Sequence, residues 1–415
     1  MKKQEMRFRR RMENKQKNIK RIVEQVKNEL KDSDLPHETT EQLMDYLKKN
    51  YDFRYNTMMG YTEYREKGME DCPWLPVEQR EVNTFTLKAK LEGIRIWNND
   101  TWRYVMSKEI CDYHPVTDYL ESVRGKWDGK DHIGILANCV KTTCPGWNTL
   151  FRRWMLAMVA QWMNKNKLYG NAIAPLFISG QGYNKSTFCR SILPPELSWG
   201  YMDNLQMAEK KQVMLAMNQM LLINLDEFNQ ISPAIQSGFL KNVIQLATVK
   251  MKRPYGKHVE DFPRMASFIA TTNMTDILSD PTGNRRFIGV ELTAPIDVST
   301  PPCHEQLYAQ ILHLLESGER YWFNNEETQD IMEFNKNYQL KSGMEMLFEN
   351  FFELTTDEKK GKYMNTTTIY EYLKRHGGNV MSDRSLIHFG RTLSNINGIV
   401  RRRGKRGSEY LVIMK

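Results

Sequence analysis

Residues 171–187, NAIAPLFISGQGYNKST, carry the pattern that decides the fold of this chain. The apolar run of residues 174–178 predicts a buried strand, and residues 179–184 predict a turn of small and polar side chains. A helix is then expected to begin at Lys185. A strand, a small-residue turn and a helix N-terminus in this order are typical of a loop that binds polyphosphate through backbone N–H groups and the positive end of the helix.

The residues of this loop predict a nucleotide site. The Lys185 ammonium would reach the outer phosphates, and the Ser186 hydroxyl would hold Mg²⁺. The predicted nucleotide contacts are Gly180, Gln181, Gly182, Asn184, Lys185, Ser186 and Thr187. Ser179 and Asn184 stand where such loops usually have glycine. Because Asn tolerates a positive φ, the loop conformation is expected to persist, with weaker binding. An ordinary strand–turn–helix is the alternative for this motif taken alone.

Two later strands are predicted to end in polar side chains. An apolar run at residues 220–225 is followed by Asp226 and Glu227. In phosphate-loop ATPases the first carboxylate holds the Mg²⁺ shell, and the second polarises the attacking water. Residues 266–272 predict another strand, and Asn273 directly after it can orient that water. A strand with an acidic end and no catalytic role is the alternative.

Two further basic features follow along the chain. Arg285 and Arg286 precede the last strand of this region, and one of them can neutralise charge on the leaving phosphate, from a neighbouring subunit. A surface salt bridge is the alternative for such a pair. Residues 249–262 predict a β-hairpin whose tip holds Lys257 and His258. These two side chains are candidate DNA contacts, and a solvated surface turn is the alternative.

Length and charge limit the possible classes of protein. The 415 residues predict two or three domains, and the net charge of +9 is concentrated at the ends. Residues 1–31 carry +8 and residues 399–415 carry +5, which leaves −4 for the rest. Basic ends suggest contacts with nucleic acid, and a solvated helix with a solubility tail is the alternative. The six cysteines lack paired metal-ligand spacing, and there is no signal peptide or membrane-length apolar run, which favours a cytoplasmic protein without a membrane partner.

Several helices are predicted from apolar spacing. Residues 1–50 suggest a basic helical arm, residues 149–163 suggest a strongly amphipathic helix under the loop, and residues 98–100 suggest a turn. Residues 366–375 and 383–395 suggest two helices that precede a basic hairpin at residues 400–413. This order looks like a winged helix, which binds DNA through one helix and the wing. The wing's candidate DNA contacts are Arg401, Arg402, Arg403, Lys405 and Arg406, and a domain used only for protein contact is the alternative.

The order of motifs over about residues 50–295 resembles the virulence-associated E family of mobile-element and phage proteins, which are similar to superfamily-3 helicases of the AAA+ class. The shared stretches are YDFRYN, GYTEYRE, KWDGKDHIGIL, GQGYNKSTF, LDEF, KRPYGKHVEDFPR, ATTN and GNRRF. The resemblance implies that Lys185 and Ser186 contact nucleotide and Mg²⁺, and that Asp226 and Glu227 are the Mg²⁺ and base residues. It also implies that Asn273 is a sensor and that Arg285 or Arg286 is an arginine finger. Family members usually have glycine at the position of Asn184.

The C-terminal part resembles the domain of unknown function seen on Bacteroidetes members of this family. Many relatives carry a primase-type domain, for which the basic arm is too short, so a priming partner is expected to be a separate protein. The predicted fold is α/β, with a helical arm at residues 1–50, an accessory region at residues 51–165, an AAA+-type ATPase core at residues 166–330 and a winged-helix-like domain at residues 335–415.

The predicted function is an ATP-dependent helicase or translocase of a mobile element or phage replication module. It would use ATP and Mg²⁺ and assemble as a homo-oligomeric ring on single-stranded or forked DNA. A nucleotide-dependent regulator with little hydrolysis is one alternative. A DNA-binding adaptor with a vestigial ATPase core is another.

Overall fold

The structure, a computed structural model, describes residues 20, 36–68, 72–165, 171–252, 258–279, 284–341, 343–377, 385–396, 398–404 and 407–415. Most of the predicted basic arm therefore lies outside the described residues, as do Lys257, Lys405 and Arg406. The chain divides into two compact units, Met1–Asp118 and Tyr119–Lys415. This division falls inside the segment that the sequence suggested as one accessory region.

The first unit is a four-stranded sheet with helices. Its elements are α1 (Pro36–Asn50), β1 (Tyr51–Asn56), β2 (Tyr61–Glu66), β3 (Leu75–Pro76), α2 (Gln79–Leu91), α3 (Asn98–Val105) and β4 (Asp112–Tyr113). The strand order is β3-β2-β1-β4. Strand β1 pairs antiparallel with β2, with Phe53 opposite Tyr64, and parallel with β4.

Alternation along β1 builds the core of this unit. Tyr51, Phe53 and Tyr55 face the same side of the sheet and pack into one cluster with side chains of α1 and α2 such as Leu47 and Phe85. The aromatic rings of Tyr51 and Phe85 lie 4.6 Å apart. Helix α1 thus belongs to a packed core.

The predicted turn at residues 98–100 is wrong, because these residues form the first turn of α3. The Asp100 carboxylate accepts a hydrogen bond from the backbone N–H of Trp97, 2.9 Å away. Asn and Asp favour helix starts as well as turns, because their side chains satisfy backbone donors in both settings. The polar triplet alone did not distinguish the two.

The second unit contains a parallel five-stranded sheet. Its strands are β5 (Ala174–Ile178), β6 (Tyr201–Asp203), β7 (Leu222–Leu225), β10 (Ser267–Thr272) and β11 (Phe287–Glu291). Their order in the sheet is β11-β5-β10-β7-β6. The helices between residues 115 and 334 are α4 (Pro115–Val123), α5 (His132–Asn138), α6 (Trp147–Trp162), α7 (Lys185–Ser191), α8 (Lys210–Gln219), α9 (Pro233–Ile235), α10 (Lys241–Val243), α11 (His304–Glu316) and α12 (Asn325–Phe334). A π-helical segment, Gln236–Leu240, joins α9 to α10. The central strands are buried along their whole length, as parallel strands covered on both faces require.

Helix α6 is present where the sequence predicted it but is not strongly amphipathic. Eleven of its 16 residues are buried. The Trp147 ring packs 5.8 Å from Phe177 of β5, and the Phe151 ring packs 6.2 Å from Phe188 of α7. The helix therefore supports both the strand and the helix that flank the loop, as expected. The polar residues of this helix suggested that one of its faces is solvated. The elements that cover this face are distant in sequence, so the local pattern could not reveal its burial.

The predicted hairpin of the core is present as β8 (Thr248–Met251) and β9 (Glu260–Pro263), which pair antiparallel. The C-terminal part comprises α13 (Gly343–Phe351), β12 (Phe352–Leu354), β13 (Lys362–Asn365), α14 (Thr366–His376), α15 (Leu386–Asn395), β14 (Val400–Gly404) and β15 (Gly407–Met414). Its sheet has the order β12-β15-β13, and β14 also pairs with β15. Within the described residues, no helix is both long enough and apolar enough to cross a membrane.

Candidate functional site

The loop between β5 and α7 has the backbone that the sequence predicted. Gly182 has φ 80° and Asn184 has φ 59°, so the position that usually holds glycine is left-handed here. The Asn184 side chain also makes a contact that glycine could not make. Its Nδ2 donates to the carbonyl oxygen of Ile296 at 3.1 Å, and the Ile296 N–H donates to the carbonyl of Tyr183 at 3.1 Å. Two hydrogen bonds therefore fasten the loop to the segment that follows β11.

Lys185 is the first residue of α7, and its side chain folds back over the loop. Its Nζ donates to the Ser179 carbonyl at 3.1 Å, the Ser179 hydroxyl at 2.9 Å and the Gly180 carbonyl at 2.8 Å. A fourth bond, 3.0 Å long, reaches Oδ1 of Asn273 at the end of β10. All four acceptors are neutral. Burial lowers the pKa of the Lys185 ammonium, and the nearby Asp226 charge partly opposes this.

The carboxylates after β7 lie at the same edge of the sheet. Asp226 Oδ1 accepts hydrogen bonds from the Thr271 hydroxyl of β10 and from the Glu227 backbone N–H, the latter at 3.1 Å. Strand β10 lies between β5 and β7. Thr271 therefore reaches Asp226, which follows β7, and Asn273 reaches Lys185, which follows the loop after β5. The sheet order therefore brings the loop lysine, the Asp-Glu pair and the predicted sensor together.

Glu227 has a strained backbone. Its φ is 49° and its ψ is 50°, a left-handed conformation that is rare for a glutamate. Its carboxylate accepts a hydrogen bond from the Gln230 side chain. A non-glycine residue held in this conformation at the end of a buried strand is typical of a functional position.

A cavity of about 360 Å³ joins these groups. It is lined by Gln181, Gly182, Tyr183, Asn184, Lys185, Ser186, Thr187, Asp226, Glu227, Thr271, Thr272 and Asn273. Of the predicted nucleotide contacts, only Gly180 is not among the lining residues, and its carbonyl accepts from Lys185. A larger cavity, of about 710 Å³, lies between α6, β11 and α12, but none of the predicted site residues that the structure describes lines it.

The two arginines before β11 differ in exposure. Arg285 is exposed, whereas Arg286 is only 4% exposed. Both lie in the short 3₁₀ segment Asn284–Arg286, and neither lines the 360 Å³ cavity. A side chain that acts on a neighbouring subunit has to be reachable from outside, so Arg285 is the better candidate of the two.

The candidate DNA contacts that the structure describes, His258, Arg401, Arg402 and Arg403, do not line this cavity. His258 is exposed beside β9. Arg401, Arg402 and Arg403 are exposed on β14. The Arg402 guanidinium, however, forms a 2.9 Å ion pair with the Glu409 carboxylate and lies 3.5 Å from the centre of the Tyr363 ring. Arg401 and Arg403 share the other face of the strand. They are therefore the more available cations of the described wing.

Sequence reasoning missed residues that support the site. Asn335 follows α12, and its side chain donates to the carbonyls of Asn284 and Phe287 and accepts from the Gly289 N–H. A Cβ on Gly289 would lie 2.5 Å from the Tyr338 ring, which explains the glycine there. These contacts anchor the 3₁₀ segment Asn284–Arg286, which carries both arginines. No local sequence pattern linked residue 335 to residues 284–289.

Arg264 is a second missed residue. It is fully buried between the hairpin and β10, and its guanidinium donates to the carbonyls of Asn171, Ile244, Leu246 and Ala266. Burial lowers the pKa of the Arg264 guanidinium to about 9. The segment before β5, the end of the π-containing helix and the start of β10 are thereby held by one side chain. A lone arginine after a proline carried no signal for this role.

The fold and the loop define a phosphate-binding-loop protein of the α/β class. The chain belongs to the virulence-associated protein E-like domain family, whose model matches residues 120–340. Residues 341–412 match a domain of unknown function from B. Theta, DUF3874. No curated protein matches the chain.

Solved structures of the NrS-1 C terminal region are similar to this chain. The apo structure of the NrS-1 C terminal region (305-718) is 12% identical, covers 91% of this chain and 100% of its own, and has a TM-score of 0.42. The A form apo structure of the same region is 12% identical, covers 91% and 99%, and has a TM-score of 0.43.

Proposed function

We propose that this chain is an ATP-dependent, DNA-translocating ATPase of the AAA+ type that serves the replication of a mobile element or phage. The observation that carries the proposal is the 3.0 Å hydrogen bond between Lys185 Nζ and Asn273 Oδ1. It joins a phosphate-directed cation to a polar residue at the end of the neighbouring strand. Such a pair is what a nucleotide site needs to couple the loop to a sensor strand.

The residues of the cavity fit a nucleotide. Within the described residues, the four acceptors of the Lys185 ammonium are neutral oxygens, so its charge is available to an anion. The N-terminus of α7 lies beside it. In this proposal Lys185 leaves the Ser179 and Gly180 oxygens to bind the outer phosphates. Glu227, held beside Gln230, accepts a proton from the attacking water, and Asn273 orients that water.

Mg²⁺ also fits the donors present. Among the described residues, no group of three or more His, Cys, Asp or Glu is placed to hold a metal. Mg²⁺ usually takes one or two protein oxygens together with phosphate oxygens and water. The Ser186 hydroxyl and the Asp226 carboxylate would supply those protein oxygens, and Thr271 orients Asp226 through its hydroxyl. When bound, Mg²⁺ would neutralise charge on the outer phosphates.

The proposed assembly is a homo-oligomeric ring on single-stranded or forked DNA. Arg285, which is exposed, would complete the site of a neighbouring subunit. The C-terminal part has two helices followed by a hairpin, which supports a winged-helix-like DNA contact through Arg401 and Arg403. His258, and Lys257 that precedes it in the sequence, are the proposed contacts inside the ring. A separate primase remains a proposed partner.

The test is steady-state ATP hydrolysis by the full chain, with and without single-stranded DNA. Lys185→Ala should abolish binding of a fluorescent ATP analogue, because the loop loses its phosphate-directed cation. Glu227→Gln should bind the analogue like wild type but lose hydrolysis, because only the base is removed. Equal nucleotide affinity in Lys185→Ala and wild type would refute the site assignment.

One observation favours a nucleotide-dependent regulator as the second candidate. The Lys185 ammonium is already bonded to three oxygens of its own loop, and these bonds must break before phosphate can bind. This exchange would weaken nucleotide binding. Nucleotide binding without hydrolysis in wild type, with or without DNA, would identify the regulator. DNA affinity that is unchanged by nucleotide would identify the protein as a DNA-binding adaptor with a vestigial ATPase core.

A further inference from the structure

The sheet of the first unit has a second face that is rich in aromatic and cationic side chains. Because Tyr51, Phe53 and Tyr55 face the helices, Asp52, Arg54 and Asn56 face the other side. In the register of β1 and β2 these three residues lie opposite Arg65, Glu63 and Tyr61, respectively. We call this side, together with Trp74 and Tyr113, the open face.

A row of aromatic rings and guanidinium groups in close contact crosses the open face. The Arg54 guanidinium lies 3.6 Å from the centre of the Tyr113 ring and 4.1 Å from that of the Trp74 ring. The Arg65 guanidinium lies 4.8 Å from the Trp74 ring. The row therefore brings together two aromatic rings and two guanidinium groups, carried by β4, β1, β2 and the residue before β3.

Hydrogen bonds to the Glu63 carboxylate hold the row in place. The Glu63 side chain is 11% exposed, and its carboxylate accepts from Arg54 at 2.6 Å and from the Asn56 amide at 2.8 Å. The side-chain Oδ1 of Asn56 in turn accepts from the backbone N–H groups of Met58 and Met59. The planes are thus preorganised, so a ligand would not have to order them.

The edge of the row is accessible and cationic. The side chains of Arg65 and Lys67 are 42% and 44% exposed, and both pair with Asp52, which is 34% exposed. Exposed ion pairs of this kind are weak, so a phosphate group can replace the carboxylate at little cost. Tyr61, 37% exposed, lies at the far end of the β1–β2 pairing and adds another aromatic ring.

We propose that the open face binds single-stranded nucleic acid, with bases against the rings of Tyr61, Trp74 and Tyr113 and phosphates against Arg65 and Lys67. Unpaired bases stack on aromatic and guanidinium planes displayed by a sheet, and cations track the backbone. A duplex hides its base faces, so the ligand is single-stranded. The proposal does not depend on nucleotide binding at the loop.

The test uses the full chain without nucleotide and a fluorescein-labelled oligothymidine, followed by fluorescence anisotropy. Trp74→Ala and Tyr61→Ala should each weaken binding by about fivefold or more, since a base–aromatic stack contributes at least that much. Trp74→Phe should retain most of the affinity. Arg65→Ala should reduce the slope of log affinity against log salt by about 0.7, which is the effect of one phosphate contact.

Matched controls lie in the same unit, away from the open face. Trp97 is 74% exposed and Arg95 is also exposed. Trp97→Ala and Arg95→Ala should leave the affinity and the salt slope unchanged. Losses as large in these controls as in Trp74→Ala and Arg65→Ala would overturn the proposal.

The location is tested separately, because other basic surfaces of the chain can also bind DNA. An oligonucleotide carrying 4-thiothymidine should crosslink to peptides that contain Tyr61, Trp74 or Tyr113. Crosslinks confined to other peptides would overturn the proposal, as would duplex binding as tight as single-strand binding. Absence of binding to any oligonucleotide would overturn it too and would favour a protein ligand. If Trp74→Ala does not fold by circular dichroism, Tyr61→Ala and Arg65→Ala decide, because both side chains are substantially exposed.

Discussion

Asn184 contributes to the loop through its backbone and, separately, through its side chain. The backbone has φ 59°, and the side chain donates to the Ile296 carbonyl at 3.1 Å. Asn184→Gly keeps the conformation but loses the hydrogen bond, which costs about 1 kcal/mol. Asn184→Ala loses the same bond and adds about 1–2 kcal/mol for a left-handed L-residue, which gives about 2–3 kcal/mol in total. Glycine at this position would therefore weaken the loop here.

Nucleotide affinity is the readout for these variants, because the loop has to hold this conformation around the phosphates. If the whole free-energy cost appears as lost nucleotide affinity, Asn184→Gly should bind a fluorescent ATP analogue about fivefold more weakly than wild type. Asn184→Ala should bind it about 30-fold or more weakly. Asn204 is the matched control, since its φ is 57° and it is exposed outside the cavity. Asn204→Gly and Asn204→Ala should bind the analogue like wild type.

Two results would refute this reasoning. Tighter nucleotide binding by Asn184→Gly than by wild type would show that the hydrogen bond to Ile296 does not support the loop and that backbone strain dominates. Equal affinities of Asn184→Gly and Asn184→Ala would show that the nucleotide-bound loop does not keep the positive φ at this position.

Three more predictions concern charge and assembly. Arg285→Ala subunits mixed with Lys185→Ala subunits should recover part of the ATP hydrolysis, whereas no recovery in confirmed mixed rings would argue against a shared site. Arg264→Met should lower the melting temperature, because four backbone carbonyls lose their donor at about 1 kcal/mol or more each; an unchanged melting temperature would contradict the bonding described. Since burial lowers the pKa of Lys185 below 10.5, its cation is present at low pH and lost as pH rises. When pH is raised in a titration, nucleotide affinity should therefore begin to fall before pH 10.5 is reached. An affinity that does not change with pH would exclude this lysine as the phosphate contact.

Much of the second unit's core could be predicted from local patterns. Apolar runs predicted β5, β7 and β10, and the polar residues that follow these strands line the 360 Å³ cavity. The polar ends meet because parallel strands present their carboxyl ends at one edge of the sheet. The positive φ of Asn184 was likewise expected from its position in the loop, and it is observed.

Other features could not be predicted, because they depend on contacts between distant residues. The hydrogen bond from Asn184 to Ile296 spans 112 positions, and that from Arg264 to Asn171 spans 93. Arg285 and Arg286 are equivalent in sequence, but only the packing around β11 buries one and exposes the other. The open face was also hidden, because the aromatic residues of YDFRYN and GYTEYRE divide between a buried and an exposed side.

By itself the sequence determined the strands β5, β7 and β10, the helix α6 and the polar residues that follow those strands, because hydrophobic periodicity and backbone preference act over a few residues. Only the tertiary structure decided that β10 lies between β5 and β7, so that Asn273 meets Lys185. It also decided that the first unit's sheet covers one face with helices and leaves the other for Arg54 between Trp74 and Tyr113. Strand order and the choice of buried face are set by the packing of whole elements against one another, and no short stretch of residues contains that information.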